Sequence, residues 1–129
     1  MKPSNTVSVA IADDSTLYRT MLQCILTKAG IEVIYEANNG YELLNQVEYS
    51  GRKPDICILD TNMPVMDGYA TAYALRMQYP EMAIIGHSFF SEKSRLSMFA
   101  CGAFECVSKD SEPDVLIQAI RNLALMQVL

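Results

Sequence analysis

The chain has 129 residues, half of them hydrophobic and 19% charged, with a formal net charge of −5. That length fits one domain with a real core, and the acidic balance, with no Lys/Arg cluster, argues against direct contact with nucleic acid. No apolar stretch approaches the ~20 residues of a membrane span, and no charged start leads into a long apolar run of the signal-peptide kind. The expected location is therefore cytoplasmic. The four cysteines, Cys24, Cys57, Cys101 and Cys106, form no C-x-x-C pair. They are expected to be buried, reduced thiols rather than disulfides or a zinc site.

Thr6–Ala12 (TVSVAIA) reads as a buried strand. Ser15 is an N-cap candidate for a helix over Thr16–Ala29, where Leu17, Met21, Leu22, Ile25 and Leu26 recur at helical spacing. Gly30 closes that helix. Ile31–Ala37 is a second strand, more exposed through Glu32 and Glu36. Asn38-Asn39-Gly40 is a turn, and Tyr41–Tyr49 a helix with Leu43, Leu44 and Val47 inward. Asp55–Asp60 (DICILD) is the most apolar strand, followed by a loop over Thr61–Gly68. Tyr69–Tyr79 is a helix ended by Pro80, Met82–Ser88 a strand, and Glu92–Cys101 a helix stopped by Gly102. Ala103–Val107 is a short strand, and Glu112–Met126 the last helix, with Pro113 in its first turn, where a missing N–H costs little. Leu116, Ile117, Ile120, Leu123 and Leu125 are too many apolar residues for one buried stripe of that helix, so either some apolar surface stays exposed for a partner or the helix packs broadly on the sheet. The eight methionines are expected to fill core gaps.

Five near-continuous apolar strands alternate with five helices. This pattern means an α/β fold with a five-stranded parallel sheet covered on both faces, and right-handed crossovers make it a three-layer αβα sandwich. No internal repeat, linker or low-complexity tract interrupts residues 1–129. They read as one domain, either complete or the first part of a longer protein.

In such a sheet, ligands bind outside the carboxyl ends of the strands. Asp13 and Asp14 follow the first strand, Asp60 ends the third, Ser88 ends the fourth and Lys109 follows the fifth. One aspartate after a strand is ordinary helix-capping chemistry; three converging carboxylates call for a cation. A hard ion such as Mg²⁺ takes oxygen ligands and keeps several waters. Asp14, Asp60 and a backbone carbonyl are candidate direct ligands, with Asp13 acting through water. Lys109 and the Ser88 hydroxyl then suit an additional anion. His87, the lone histidine, has no partner in sequence and is expected to be a buried or half-buried strand-end side chain.

Asp60 opens the segment Thr61-Asn62-Met63-Pro64-Val65-Met66-Asp67-Gly68, and the pattern D-x-x-M-P-x-M-D-G is far more specific than a plain loop. It resembles the phosphoacceptor loop of response-regulator receiver domains from two-component signalling. The acidic pair, Ser88 and Lys109 fall where that family places its other site residues, and the likeness runs from about Val7 to about Leu125. The resemblance implies a flavodoxin-like (βα)5 fold with strand order 2-1-3-4-5. It implies that Asp60 accepts a phosphoryl group from the phosphohistidine of a sensor histidine kinase or phosphotransfer protein. It further implies that Asp13, Asp14, Asp60 and the Asn62 backbone carbonyl hold Mg²⁺, and that Lys109 and Ser88 contact the phosphoryl oxygens. Such a protein is a switch rather than an enzyme acting on a separate substrate. Its last two helices and last strand, here Glu92–Cys101, Glu112–Met126 and Phe104–Val107, are the usual surface for homodimerisation or output.

Three positions depart from the common receiver pattern. Asp110 stands where many members have proline, so a trans bond after Lys109 is expected. Lys109-Asp110, Gly102-Ala103 and Leu116–Ala119 followed by Ile120-Arg121 resemble receivers of LuxR/NarL-type regulators, which implies a C-terminal DNA-binding output outside this chain. The alternative is a stand-alone receiver acting in a phosphorelay or by protein–protein binding. Cys106 replaces the aromatic three residues before the lysine, and Phe104 is a poor substitute for it. Phe89 is bulky where small residues are common, and is expected to narrow access to Asp60.

Other chemistries fit less well. A phosphatase of the haloacid-dehalogenase kind needs an aspartate two residues after the nucleophile, and Asn62 cannot shuttle a proton. An FMN module needs a Ser/Thr/Gly-rich phosphate loop where Asp13-Asp14 stands.

Overall fold

The computed structural model describes residues 6–128. Ten elements alternate in order: β1 Ser8–Ala12, α1 Thr16–Lys28, β2 Glu32–Ala37, α2 Gly40–Tyr49, β3 Ile56–Leu59, α3 Gly68–Gln78, β4 Ala83–Ser88, α4 Glu92–Ala100, β5 Glu105–Ser108 and α5 Pro113–Val128. All strand pairs are parallel, and the sheet order is β2-β1-β3-β4-β5. This is the expected flavodoxin-like order, with β3 between β1 and β4. Among the described residues no helix is long and apolar enough to cross a membrane.

The period-two rule of strands divides the apolar residues between two cores. Val9, Ile11, Ile56, Ile58, Ala83 and Ile85 pack with Leu22 and Leu26 of α1 and with Leu116, Ile120 and Leu123 of α5. Their neighbours Ala10, Ala12, Cys57, Leu59 and Ile84 point the other way. There they meet Leu43 and Val47 of α2, Ala72 and Leu75 of α3, and Met98 of α4. Burial on both faces is why β1, β3 and β4 read as uninterrupted apolar runs. β2 lies at the sheet edge and keeps Glu32 and Glu36 exposed.

Local signals set the helix ends. The Ser15 hydroxyl accepts from the Tyr18 N–H as the α1 N-cap. Gly30, at φ +81°, turns the chain out of α1 in a conformation that side chains resist. Asn39 caps α2, so that helix begins one residue before the expected Tyr41. Pro113 is the first residue of α5.

Some expectations need correction. β5 begins at Glu105 rather than Ala103. Ala103 still belongs to the turn after α4, where its N–H reaches the Met98 carbonyl, and pairing with β4 starts only as the Phe104 N–H meets the Ile84 carbonyl. All four thiols are free, yet only Cys57 is buried. Cys24 is exposed on α1, and Cys101 and Cys106 are half-buried. Burial pushes the Cys57 thiol up to about 12. Met82 and Met98 fill the core as expected, whereas Met21, Met77 and Met126 are exposed. On α5, Leu116, Ile120 and Leu123 face inward and Leu125 outward, so of the two readings the helix leaves some apolar surface exposed.

Candidate functional site

Strand register brings the polar strand ends together. Ala12 pairs with Leu59, so Asp13 and Asp60 emerge side by side, and the Asp60 N–H donates to the Ala12 carbonyl at 2.9 Å. Ser88 pairs with Ser108, and the Lys109 N–H donates to the Ser88 carbonyl at 2.9 Å. Asp13, Asp14, Asp60, Ser88 and Lys109 therefore meet at the carboxyl edge of the sheet.

The Lys109 ammonium bridges two carboxylates, at 2.7 Å from Asp13 Oδ2 and 3.2 Å from Asp60 Oδ2. Asp13 and Asp60 are only 2% and 8% exposed. Burial works against the charge on Lys109, and the two aspartates more than offset it, leaving the lysine pKa above its ordinary value. Breaking such a pair from one side leaves a buried charge unmatched. Asp13 is held further, since its Oδ1 accepts from the Ser15 N–H at 2.9 Å. The Asp13 backbone carbonyl accepts from the Arg19 guanidinium.

Asp14 is exposed, yet Asp13, Asp14 and Asp60 each place a carboxylate oxygen within 4.8 Å of the others. One lysine cannot neutralise three carboxylates, and an all-oxygen donor set of this kind fits a hard divalent cation. Asn62, expected to lend its backbone carbonyl, lies exposed in the loop after β3, two residues beyond Asp60.

That loop folds back tightly. The Gly68 N–H donates to the Thr61 carbonyl at 2.9 Å. A Cβ on Gly68 would lie 2.1 Å from the Asp60 carbonyl oxygen, so the glycine of the M-D-G segment is required by close approach. Asp67 caps α3 by accepting from the Ala70 N–H. Val65, at φ 69°, centres a γ-turn closed by the Met66 N–H on the Pro64 carbonyl at 2.7 Å. A β-branched residue in that region is strained, and the strain sits in the loop that follows Asp60.

Two neighbours, Thr61 and Tyr18, were not legible as site residues. The buried Thr61 hydroxyl lies 2.9 Å from the Ser88 hydroxyl. Tyr18 of α1 places its ring 4.1 Å from Lys109 Nζ. His87 is buried, as expected for a strand-end residue, and its Nε2 lies 3.4 Å from the Tyr18 hydroxyl. Phe89 is 68% exposed, with its ring centroid 6.0 Å from Lys109 Nζ, so it stands beside the lysine at the mouth of the site.

The bond after Lys109 is trans, as expected. At the other departure, the Cys106 thiol and the Phe90 ring both border Gly86, within 3.3 and 3.1 Å of where a Cβ would stand. Phe90, two residues after Ser88, is thus the aromatic beside Cys106. Phe104 instead lies under the Arg76 guanidinium, 5.6 Å from its ring centroid.

Comparison with known proteins places this geometry. The family described as response regulator receiver domain matches residues 9–121. The chain is 36% identical over 126 residues to a protein-glutamate methylesterase/protein-glutamine glutaminase of Clostridium acetobutylicum, covering 89% of this chain and 36% of that protein. It spans little more than a third of the length of that relative. It is 32% identical over 117 residues to chemotaxis protein CheY of Thermotoga maritima, covering 90% of this chain and 96% of CheY. A crystal structure of a putative response regulator from Chloroflexus aurantiacus superposes with a TM-score of 0.84 at 27% identity, over 94% of this chain and 99% of that one. These similarities do not support the expected kinship with LuxR/NarL-type regulators, because they point to methylesterase and chemotaxis receivers instead. The chain belongs to the response-regulator receiver-domain family.

Proposed function

We propose that this chain is a phosphorylation-dependent switch in which Asp60 is the phosphoryl acceptor. A carboxylate oxygen of Asp60 attacks the phosphorus of a phosphohistidine on a histidine kinase or phosphotransfer protein. The P–N bond breaks and its electron pair returns to the imidazole. Phosphoryl transfer needs little covalent help from the protein, so positioning and charge neutralisation dominate. The observation that carries this reading is the Lys109 ammonium held between Asp13 and Asp60, at 2.7 and 3.2 Å, beside a third carboxylate. Lys109 then neutralises one phosphoryl oxygen, and the Ser88 hydroxyl leaves Thr61 to donate to another. Asp13, Asp14, Asp60 and the Asn62 backbone carbonyl would hold Mg²⁺, which supplies positive charge for the remaining oxygens when bound. The protein acts in the cytoplasm and turns over only its own phosphoryl group.

The output is transmitted through α4, β5 and α5. Leu96 on α4 and Leu125 and Met126 on α5 are exposed apolar side chains on those elements, and they favour a partner or a second copy of the chain there. The similarity to CheY over nearly its whole length favours a receiver that acts by protein–protein binding. A DNA-binding output attached after α5 is the second reading, favoured by 32% identity over 114 residues to an uncharacterized transcriptional regulatory protein of Bacillus subtilis.

Beryllofluoride with Mg²⁺ mimics the acyl phosphate and tests the acceptor. Amide NMR shifts should appear around Asp60, Ser88 and Lys109 in wild type and be absent in Asp60→Asn. Equal shifts in both proteins would remove Asp60 from the reading.

A further inference from the structure

The lysine of the site is gripped by more than its carboxylates. Asp13 and Asp60 face its ammonium at 2.7 and 3.2 Å, and the Tyr18 ring stands 4.1 Å from Nζ. Tyr18 comes from the first turn of α1, a different element from either carboxylate. Its ring is itself held in place. The Tyr18 hydroxyl lies 3.4 Å from His87 Nε2, and the two ring centroids are 5.6 Å apart with the planes tilted by 47°.

His87 is 5% exposed and immediately precedes Ser88 in β4. Burial, reinforced by the Lys109 charge, lowers its pKa to about 4. It is therefore neutral at neutral pH, and the Tyr18 hydroxyl and Nε2 can pair with either as donor, according to the imidazole tautomer. A charged imidazolium here would repel the lysine.

We propose that Tyr18, braced by His87, is a positioning residue that holds the Lys109 ammonium in place for phosphoryl transfer. An ammonium on a flexible stem is strongly hydrated and has many rotamers. The aromatic face attracts it without adding negative charge to a site that already has three carboxylates, where a fourth would repel an incoming phosphoryl group. The Asp60 contact changes character once that carboxylate becomes an acyl phosphate, whereas the ring face does not react and holds the lysine before and after transfer. The catalytic consequence rests on the reading of Asp60 as acceptor; the positional claim does not.

The test compares wild type with Tyr18→Leu and Tyr18→Phe, with Tyr18→Met as a second ring-free variant should the leucine protein fail to fold. Proton–nitrogen NMR of the lysine side-chain ammonium groups reads Lys109 directly. Wild type and Tyr18→Phe should show a slowly exchanging Lys109 signal. In the ring-free variants its exchange with water should be about tenfold faster, the scale of one desolvated cation–π contact. Phosphorylation by acetyl phosphate at saturating Mg²⁺ should slow by about the same factor in Tyr18→Leu and be largely restored by Tyr18→Phe. Lysine exchange unchanged in the ring-free variants overturns the proposal whatever the rates do. A phenylalanine variant as impaired as the leucine variant overturns the role of the ring. If wild type takes up no phosphoryl group, the acceptor reading fails while the ammonium signal still decides the role of Tyr18.

Discussion

The Thr61 hydroxyl lies 2.9 Å from the Ser88 hydroxyl, and both side chains are buried at the carboxyl edge of the sheet. Thr61 follows the proposed acceptor, and Ser88 ends the strand whose loop leads into α4. The pair therefore links the loop that follows Asp60 to the end of β4. A double-mutant cycle with Thr61→Val and Ser88→Ala, read by urea unfolding, should give a coupling of about 1 kcal/mol. With beryllofluoride and Mg²⁺ the coupling should vanish, because the Ser88 hydroxyl then serves the phosphoryl mimic. Equal coupling in both states would contradict the switch.

Lys109→Met keeps the length of the side chain and removes its charge. It leaves Asp13 and Asp60 buried without their cation. Without metal, the expected destabilisation is about 3–5 kcal/mol. Mg²⁺ should narrow that gap, since a cation among the same carboxylates replaces the lost charge. Unfolding in EDTA beside unfolding in Mg²⁺ measures both quantities, and a gap indifferent to Mg²⁺ argues against a shared site.

Phe89 stands exposed beside Lys109, and its bulk is expected to narrow access to Asp60. Phe89→Ala should speed loss of the phosphoryl group severalfold by admitting the hydrolytic water. Decay at the wild-type rate would show that the ring does not shield Asp60.

His87 links stability to pH. Its folded-state pKa is lowered to about 4 by burial and by Lys109, with Asp60 opposing. Between that value and the unfolded pKa, the unfolded chain binds more protons, so stability falls as pH drops from about 6.5 towards 4. The loss attributable to this group approaches about 3 kcal/mol at the acid end. In His87→Gln the acid-side slope should be shallower than in wild type. Parallel slopes would show that other groups control acid unfolding.

The fold was legible because burial on both faces writes β1, β3 and β4 as near-continuous apolar runs, and because the helices are capped by ordinary local signals such as Ser15 and Gly30. The charged residues of the site were legible because their strand-end positions and the Asp60–Gly68 pattern are properties of sequence. Thr61, Tyr18 and Phe90 were not. Thr61 meets Ser88 across 27 positions, and Tyr18 meets His87 across 69; spacing along one element cannot report such contacts. The exposure of Leu17, Met21 and Cys24 was hidden for a related reason. The apolar residues of α1 occupy more of its circumference than the sheet covers, and only Leu22 and Leu26 are fully buried.

The most direct test is intact-protein mass after incubation with Mg²⁺ and acetyl phosphate, for wild type beside Asp60→Asn. The account predicts the mass of one added phosphoryl group in wild type and none in the variant. An equal gain in Asp60→Asn would place the acceptor elsewhere and contradict the account.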